Sequence, residues 1–161
     1  MRRSIIALLA AIGMLALTAL PSQAAINFKS GPTVTFSGYT ATANAEMSGL
    51  GNVPATGQLT VNGYAIFTCK SPGGGNEAPG QNPVPATGAS PVVDLGNSNH
   101  NGRGSISNLT ATLVAPPTPT AKQAGCPNPN WTVGGGSLVL TSATLTIWQG
   151  SQTIYSQTFY P

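Results

Sequence analysis

The run Leu59-Thr60-Val61-Asn62-Gly63-Tyr64-Ala65-Ile66-Phe67-Thr68-Cys69 decides between two folds. Asn62-Gly63 is a strong hairpin-turn dipeptide. Taken as a turn, it leaves a first arm of only four residues, 59–62. Yet Leu59, Val61, Ala65, Phe67 and Cys69 share one parity across it. Alternation at period two marks the buried face of a strand. The run therefore reads as one strand, with a bulge or a close backbone approach at Gly63.

Outward from this strand, the same alternation recurs. Residues 33–37 alternate apolar and hydroxyl side chains, and residues 39–47 place Ala41, Ala43, Ala45 and Met47 on one face. Residues 105–114 read as a strand ended by Pro116-Pro117-Thr118-Pro119. A weaker strand is expected within 85–94, and a short one at 131–133 before Gly134-Gly135-Gly136. Leu138, Leu140, Ala143, Leu145 and Ile147 mark a long strand whose alternation slips between Leu140 and Ala143, as a bulge would make it. Gln149-Gly150-Ser151 turns it into a strand at 154–159. Residues 48–54, 71–83 and 96–104 are loops by their Gly, Pro and Asn content. About seven strands without a helical period predict an immunoglobulin-like antiparallel β-sandwich, with a jelly roll or small barrel as the alternative. The Cys–Trp–Cys order of antibody domains is missing, because Trp131 follows the second cysteine.

Residues 1–24 have the form of a secretory signal peptide. Arg2-Arg3 is the basic start, residues 5–20 the apolar core, and Ser22-Gln23-Ala24 the small-residue site, with the cut expected after Ala24. One domain, 25–161, remains, and the mature chain is expected to be extracellular. Beyond the leader no apolar run approaches the roughly 18 residues of a membrane span, so membrane insertion of the mature chain is not expected. Export favours pairing of the two cysteines, Cys69 with Cys126. Free thiols are the alternative, and two cysteines with one histidine make no closed zinc site.

Charged residues are only 6% of the chain, against the usual quarter. Without the leader the bases are Lys29, Lys70, Arg103 and Lys122 and the acids Glu46, Glu77 and Asp94, a net of +1. Four scattered cations form no stripe, which excludes counterion-release binding to nucleic acid. Catalysis is poorly supplied. His100 and Asp94 sit six residues apart in a Gly/Asn loop, and no Gly-x-Ser-x-Gly elbow exists. A glycosidase pair would need two of Glu46, Glu77 and Asp94. Asn97-Ser98-Asn99-His100-Asn101-Gly102 has the spacing of a calcium-loop start but lacks its carboxylates. No catalytic residue, metal or cofactor is assigned, and the chain is read as non-enzymatic.

Two stretches stand out. Cys69-Lys70-Ser71-Pro72-Gly73-Gly74-Gly75-Asn76-Glu77-Ala78-Pro79-Gly80-Gln81-Asn82-Pro83 is one, and Ala124-Gly125-Cys126-Pro127-Asn128-Pro129-Asn130-Trp131 is the other. Together they resemble a group of small secreted bacterial proteins without an assigned function. Members carry a signal peptide, a strand running into Cys-x-Asn-Pro-Gly-Gly-Asn, an Ala-Pro-Gly-Gln-Asn loop and a late Cys-Pro-Asn-Pro-Asn-Trp. Here Ser71 replaces the usual Asn, and Gly73–Gly75 holds one extra glycine. The resemblance implies export and the disulfide, and it brings no ligand.

The expected role is a secreted structural or protein-interaction module, with a carbohydrate-binding module or an extracellular hydrolase inhibitor as alternatives. The candidate recognition loop is Pro72, Gly73, Gly74, Asn76, Pro79, Gln81 and Asn82. The candidate ligand-stacking aromatics are Trp131 and Trp148, Trp131 being expected to pack on the disulfide instead. The partner, an extracellular protein or a cell-surface glycan, is open at this point.

Overall fold

The computed structural model describes residues 26–50, 53–95 and 102–161. The leader and its cleavage point, His100 and most of the Asn-rich calcium-like motif lie outside the described residues.

The described residues form nine strands in two antiparallel sheets, with one short helix. The smaller sheet has the order β1-β2-β7, from β1 (Asn27–Ser37), β2 (Thr40–Ser48) and β7 (Gly104–Thr112). The larger is a curled half-barrel built on β3 (Ala55–Lys70). On one side of β3 lies β8 (Thr132–Gln149), followed by β9 (Gln152–Phe159). Its other side is shared by three short strands, β4 (Glu77–Pro79), β5 (Val84–Ala89) and β6 (Val93–Asp94).

β3 is the strand read as decisive, and it runs through Asn62-Gly63 without turning. The reason is steric. A Cβ on Gly63 would lie 2.1 Å from the Val139 carbonyl oxygen and 2.8 Å from Leu113 Cδ2. Only glycine lets β8 and Leu113, just past the end of β7, come this close. The pairing with β8 shifts at this point, from Asn62↔Ser142 to Gly63↔Leu140, which leaves Thr141 as the extra residue. Its Oγ1 donates to the Asn62 carbonyl at 3.0 Å. The glycine in β3 and the slip in β8 are thus the two sides of one bulge.

Three expectations need correction. Strands number nine rather than about seven, because β4 and β6 are short edge pieces. Gly134-Gly135-Gly136 does not end a short strand at 131–133. It lies inside β8, where Gly136 sits opposite Phe67 and a Cβ there would be 3.3 Å from the Phe67 ring. The aromatic ring occupies the room beside Gly136 that a side chain there would need. The stretch after the prolines contains helix α1 (Ala121–Ala124), closed by a reciprocal cap in which Thr120 Oγ1 accepts from the Gln123 amide and the Gln123 side chain accepts from the Thr120 amide.

Between the sheets the core takes small and large side chains from both layers. Ala41, Ala43 and Ala45 of β2 face Leu59 and Val61 of β3 and Leu145 and Ile147 of β8. Met47, Ile106 and Leu109 of the smaller sheet and Ala55 and Ala143 of the larger belong to the same cluster, so small and large side chains interleave to fill the gap at interior density. A second, smaller cluster of Ala65, Phe67 and Ala124 lies at the far end of β3, with Val84, Cys126, Val133 and Leu138 against it.

Candidate functional site

The two distinctive stretches meet at that far end. Cys69 and Cys126 are joined by a disulfide, with Cα atoms 5.7 Å apart and Cys69 fully buried. The join does not depend on sulfur alone. The Gly80 amide donates to Phe67 O at 2.7 Å, Asn82 to Ala124 O at 3.1 Å and Gln81 to Gly125 O at 3.2 Å. A Cβ on Gly80 would lie 2.3 Å from the Ala124 oxygen, so glycine is what lets the two loops touch. Gly125, at φ 71°, is the left-handed end of α1 and packs on Asn82.

The candidate recognition loop therefore divides. Gln81 and Asn82 are exposed side chains on a backbone fixed to the α1 turn. Pro79 lies on β4, opposite Thr68. Pro72, Gly73, Gly74 and Asn76 form an exposed turn, closed by Ser71 N to Asn76 O at 3.0 Å and Gly74 N to Ser71 O at 2.9 Å. Lys70 and Glu77 pair across its base at 2.6 Å. The tip offers a proline ring, one amide side chain and bare backbone.

The two candidate aromatics are not brought together. Trp148 lies opposite Thr56, at the start of β3, and Trp131 immediately precedes Thr132, which lies opposite Lys70 at its end. At about 3.3 Å per residue, these positions are on the order of 45 Å apart along the strand. Trp131 is half-buried and its amide donates to Asn128 O at 3.1 Å. It lies outside the apolar cluster around Cys126. The carboxylates are equally dispersed. Glu46 is on the smaller sheet, Glu77 is opposite Lys70, and Asp94 is opposite Thr56 at the other end of β3. Glu46 shares an open cavity of about 280 Å³ with Lys29 and Arg103.

What the register assembles instead are rows of hydroxyl and amide side chains across the outer sheet faces. On the larger sheet Thr158, Thr144 and Thr60 lie side by side, with Ser156, Thr146 and Gln58 in the next row. Trp148 stands in a further row between Thr153 and Thr56. Thr144 and Thr158 hydroxyls are hydrogen-bonded at 2.9 Å. On the smaller sheet Thr35, Thr42 and Thr110 form one row and Ser37, Thr40 and Thr112 the next. Thr40 bonds Thr112 at 3.1 Å and Thr42 bonds Thr110 at 3.2 Å. Side chains on one face repeat every second residue along a strand, so each row recurs at about 7 Å, with strands about 4.8 Å apart. The four Thr/Ser/Gln rows carry no charge, whereas the Trp148 row ends on Asp94 and Glu46 lies further along the same face of β2. Donors and acceptors in the four rows are partly satisfied by neighbours, which holds the hydroxyls in fixed orientation.

A groove of about 440 Å³ was also missed from sequence. Val84 and Pro85 form one wall and Pro116, Pro117 and Pro119 the other. The prolines that end β7 are its lining. Tyr155 of β9 packs edge-on against Phe28 of β1, ring centres 4.8 Å apart. Burial raises its hydroxyl pKa above the ordinary 10.0. Among the described residues no group of three or more His, Cys, Asp or Glu side chains could hold a metal ion, and no helix is long and apolar enough to cross a membrane. No family model, curated protein or solved structure matches this chain.

Proposed function

We propose that this chain is a secreted, non-enzymatic β module that works by surface contact, as an extracellular structural component or a protein-binding domain. The observation that carries the reading is the set of uncharged hydroxyl and amide side chains held in ordered rows on both outer sheet faces. A surface ordered before contact loses less side-chain entropy when it meets a partner. The Cys69–Cys126 bridge supports an oxidising compartment, in keeping with a leader cut after Ala24 and with the resemblance to small secreted bacterial proteins. The two-sheet layout supports an immunoglobulin-like sandwich whose larger sheet curls toward the small-barrel alternative.

One observation favours a second reading. Trp148 stands on the outer face among Thr56, Thr146 and Thr153, where an indole beside hydroxyls suits stacking on a sugar ring. Retention on washed cell envelopes from the producer, before and after protease treatment, and on insoluble polysaccharides tests both. Surface contact with protein predicts retention that protease treatment abolishes and that Thr42→Lys or Thr144→Lys weakens. Glycan binding predicts retention on a polysaccharide that Trp148→Ala removes. No retention on any surface would count against both.

A further inference from the structure

The sheet edges are not equally protected. An edge strand offers unpaired backbone groups to any other strand, and proteins blunt such edges with charge, proline, bulges or brevity. β1 carries Lys29, Pro32 and two register shifts. β7 is kinked at Asn108, whose φ is 52°, next to a register shift in its pairing with β2. β4 has three residues and β6 two, and β5 is bridged to Val114 through Thr87. β9 has one register shift, at Ile154 near its hairpin end, and none of the other devices, and from Tyr155 to Phe159 its pairing with β8 runs without a shift. It is eight residues long, ends the larger sheet, and contains neither proline nor charge. No Asp, Glu, Lys, Arg or His occurs anywhere from Gln123 to Pro161.

We propose that β9 pairs antiparallel with β9 of a second copy of this chain, about a two-fold axis at Gln157. This extends the surface-contact role by naming a partner, and it stands on the edge rather than on the faces. The strand is self-complementary about that residue. In this register Ser156 lies opposite Thr158 and Tyr155 opposite Phe159, each pair occurring twice, and the two Gln157 amides face each other. Ser156 and Thr158 lie on the outer face in β9. Tyr155 and Phe159 lie on the inner face, opposite Ile147 and Ala143. Hydroxyls therefore meet hydroxyls and rings meet rings, the cross-strand pairs that stabilise antiparallel ladders. The Thr60–Thr144–Thr158 row would run on into Ser156 of the second copy. A charged partner strand would find no counter-charge along this edge, whereas a neutral copy leaves nothing unmatched. The contact is isologous, so it closes at two copies.

Sedimentation of the protein purified in the form its producer makes tests this. The expected result is a particle of twice the monomer mass. Ser156→Lys, at an exposed position, reduces it to the monomer with an unchanged circular dichroism spectrum. Gln157→Cys cross-links covalently between copies on mild oxidation, and Ser156→Cys, which would face Thr158, does not. A monomer at every soluble concentration would overturn the proposal. A dimer indifferent to Ser156→Lys, or filaments from β9 pairing with β1, would overturn it equally. Envelope retention by a monomer would remove the dimer and leave the surface-contact role. A dimer without retention would do the reverse.

Discussion

Gly63→Ala is the sharpest perturbation of this fold. The added carbon would lie 2.1 Å from the Val139 oxygen, where ordinary contact begins at 3.4 Å. β3 and β8 would have to separate locally by about 1.3 Å, and Leu113 Cδ2, at 2.8 Å, blocks the escape toward the core. Overpacking of this kind costs about 1–3 kcal/mol. Opening the ladder on both sides of the bulge weakens about two backbone hydrogen bonds at about 1 kcal/mol each. The total is about 3–5 kcal/mol, a large part of the ~5–15 kcal/mol that a domain of this size holds. At roughly 3–5 °C per kcal/mol, the melting temperature should fall by roughly 9–25 °C. Gly75→Ala is the control, because its Cβ would meet nothing within 4 Å and its φ is not in the left-handed range. That variant should melt within about 2 °C of the parent. Thermal unfolding followed by circular dichroism, with the disulfide intact, reads both. A Gly63→Ala protein that melts with the Gly75→Ala control would refute the close approach of the two strands.

Other perturbations should behave as follows. Reduction of Cys69–Cys126, or its replacement by two alanines, releases a loop with a sequence separation of 57. It should destabilise by about 4 kcal/mol, read as a drop in denaturant midpoint, and an unchanged midpoint would mean that the bridge adds nothing to stability. Leu145→Ala empties a fully buried position and should cost about 2–5 kcal/mol, measured in the same way. Tyr155 favours its neutral form in the folded state, so its contribution is complete below pH 10.0 and is lost as pH rises through the higher folded value. Stability measured from pH 8 to 12 should therefore decline more steeply for the parent than for Tyr155→Phe, and parallel curves would argue against burial of that hydroxyl.

What the sequence disclosed was local. The parity of residues 59–69, the slip after Leu140 and the Gln149-Gly150-Ser151 turn each show within a dozen residues, and each has its structural counterpart. That the glycine and the slip belong to one bulge was not legible, because they come from segments far apart in the chain. The glycine triplet misled for a related reason. Local propensity argues against a strand there, and the Phe67 ring that compensates lies on β3. Thr120 and Gln123 did carry a cap signature, but a helix of four residues is shorter than any periodic window. The candidate surface was hidden because its rows run across the strands. Thr42 and Thr110 become neighbours only once β2 and β7 are in register. Trp131 and Trp148 looked like partners in composition, and the register separates them by the length of β3.

The position of the disulfide has a kinetic consequence. β3 and β8 pair over nearly their whole lengths, and such non-local ladders are slow to nucleate. Cys69 and Cys126 lie just before the pair Lys70↔Thr132, the outermost rung at that end. In the reduced chain the first rung must close 62 residues of sequence. Once the bridge forms, the same rung closes only the few residues on either side of it, which lowers the loop-closure cost by about 2 kcal/mol. From there the ladder can propagate rung by rung toward Ala55↔Gln149. Refolding of the denatured chain with its bridge intact should therefore be faster than refolding of the reduced chain by more than tenfold, with the clasp acting as the slider of a zip.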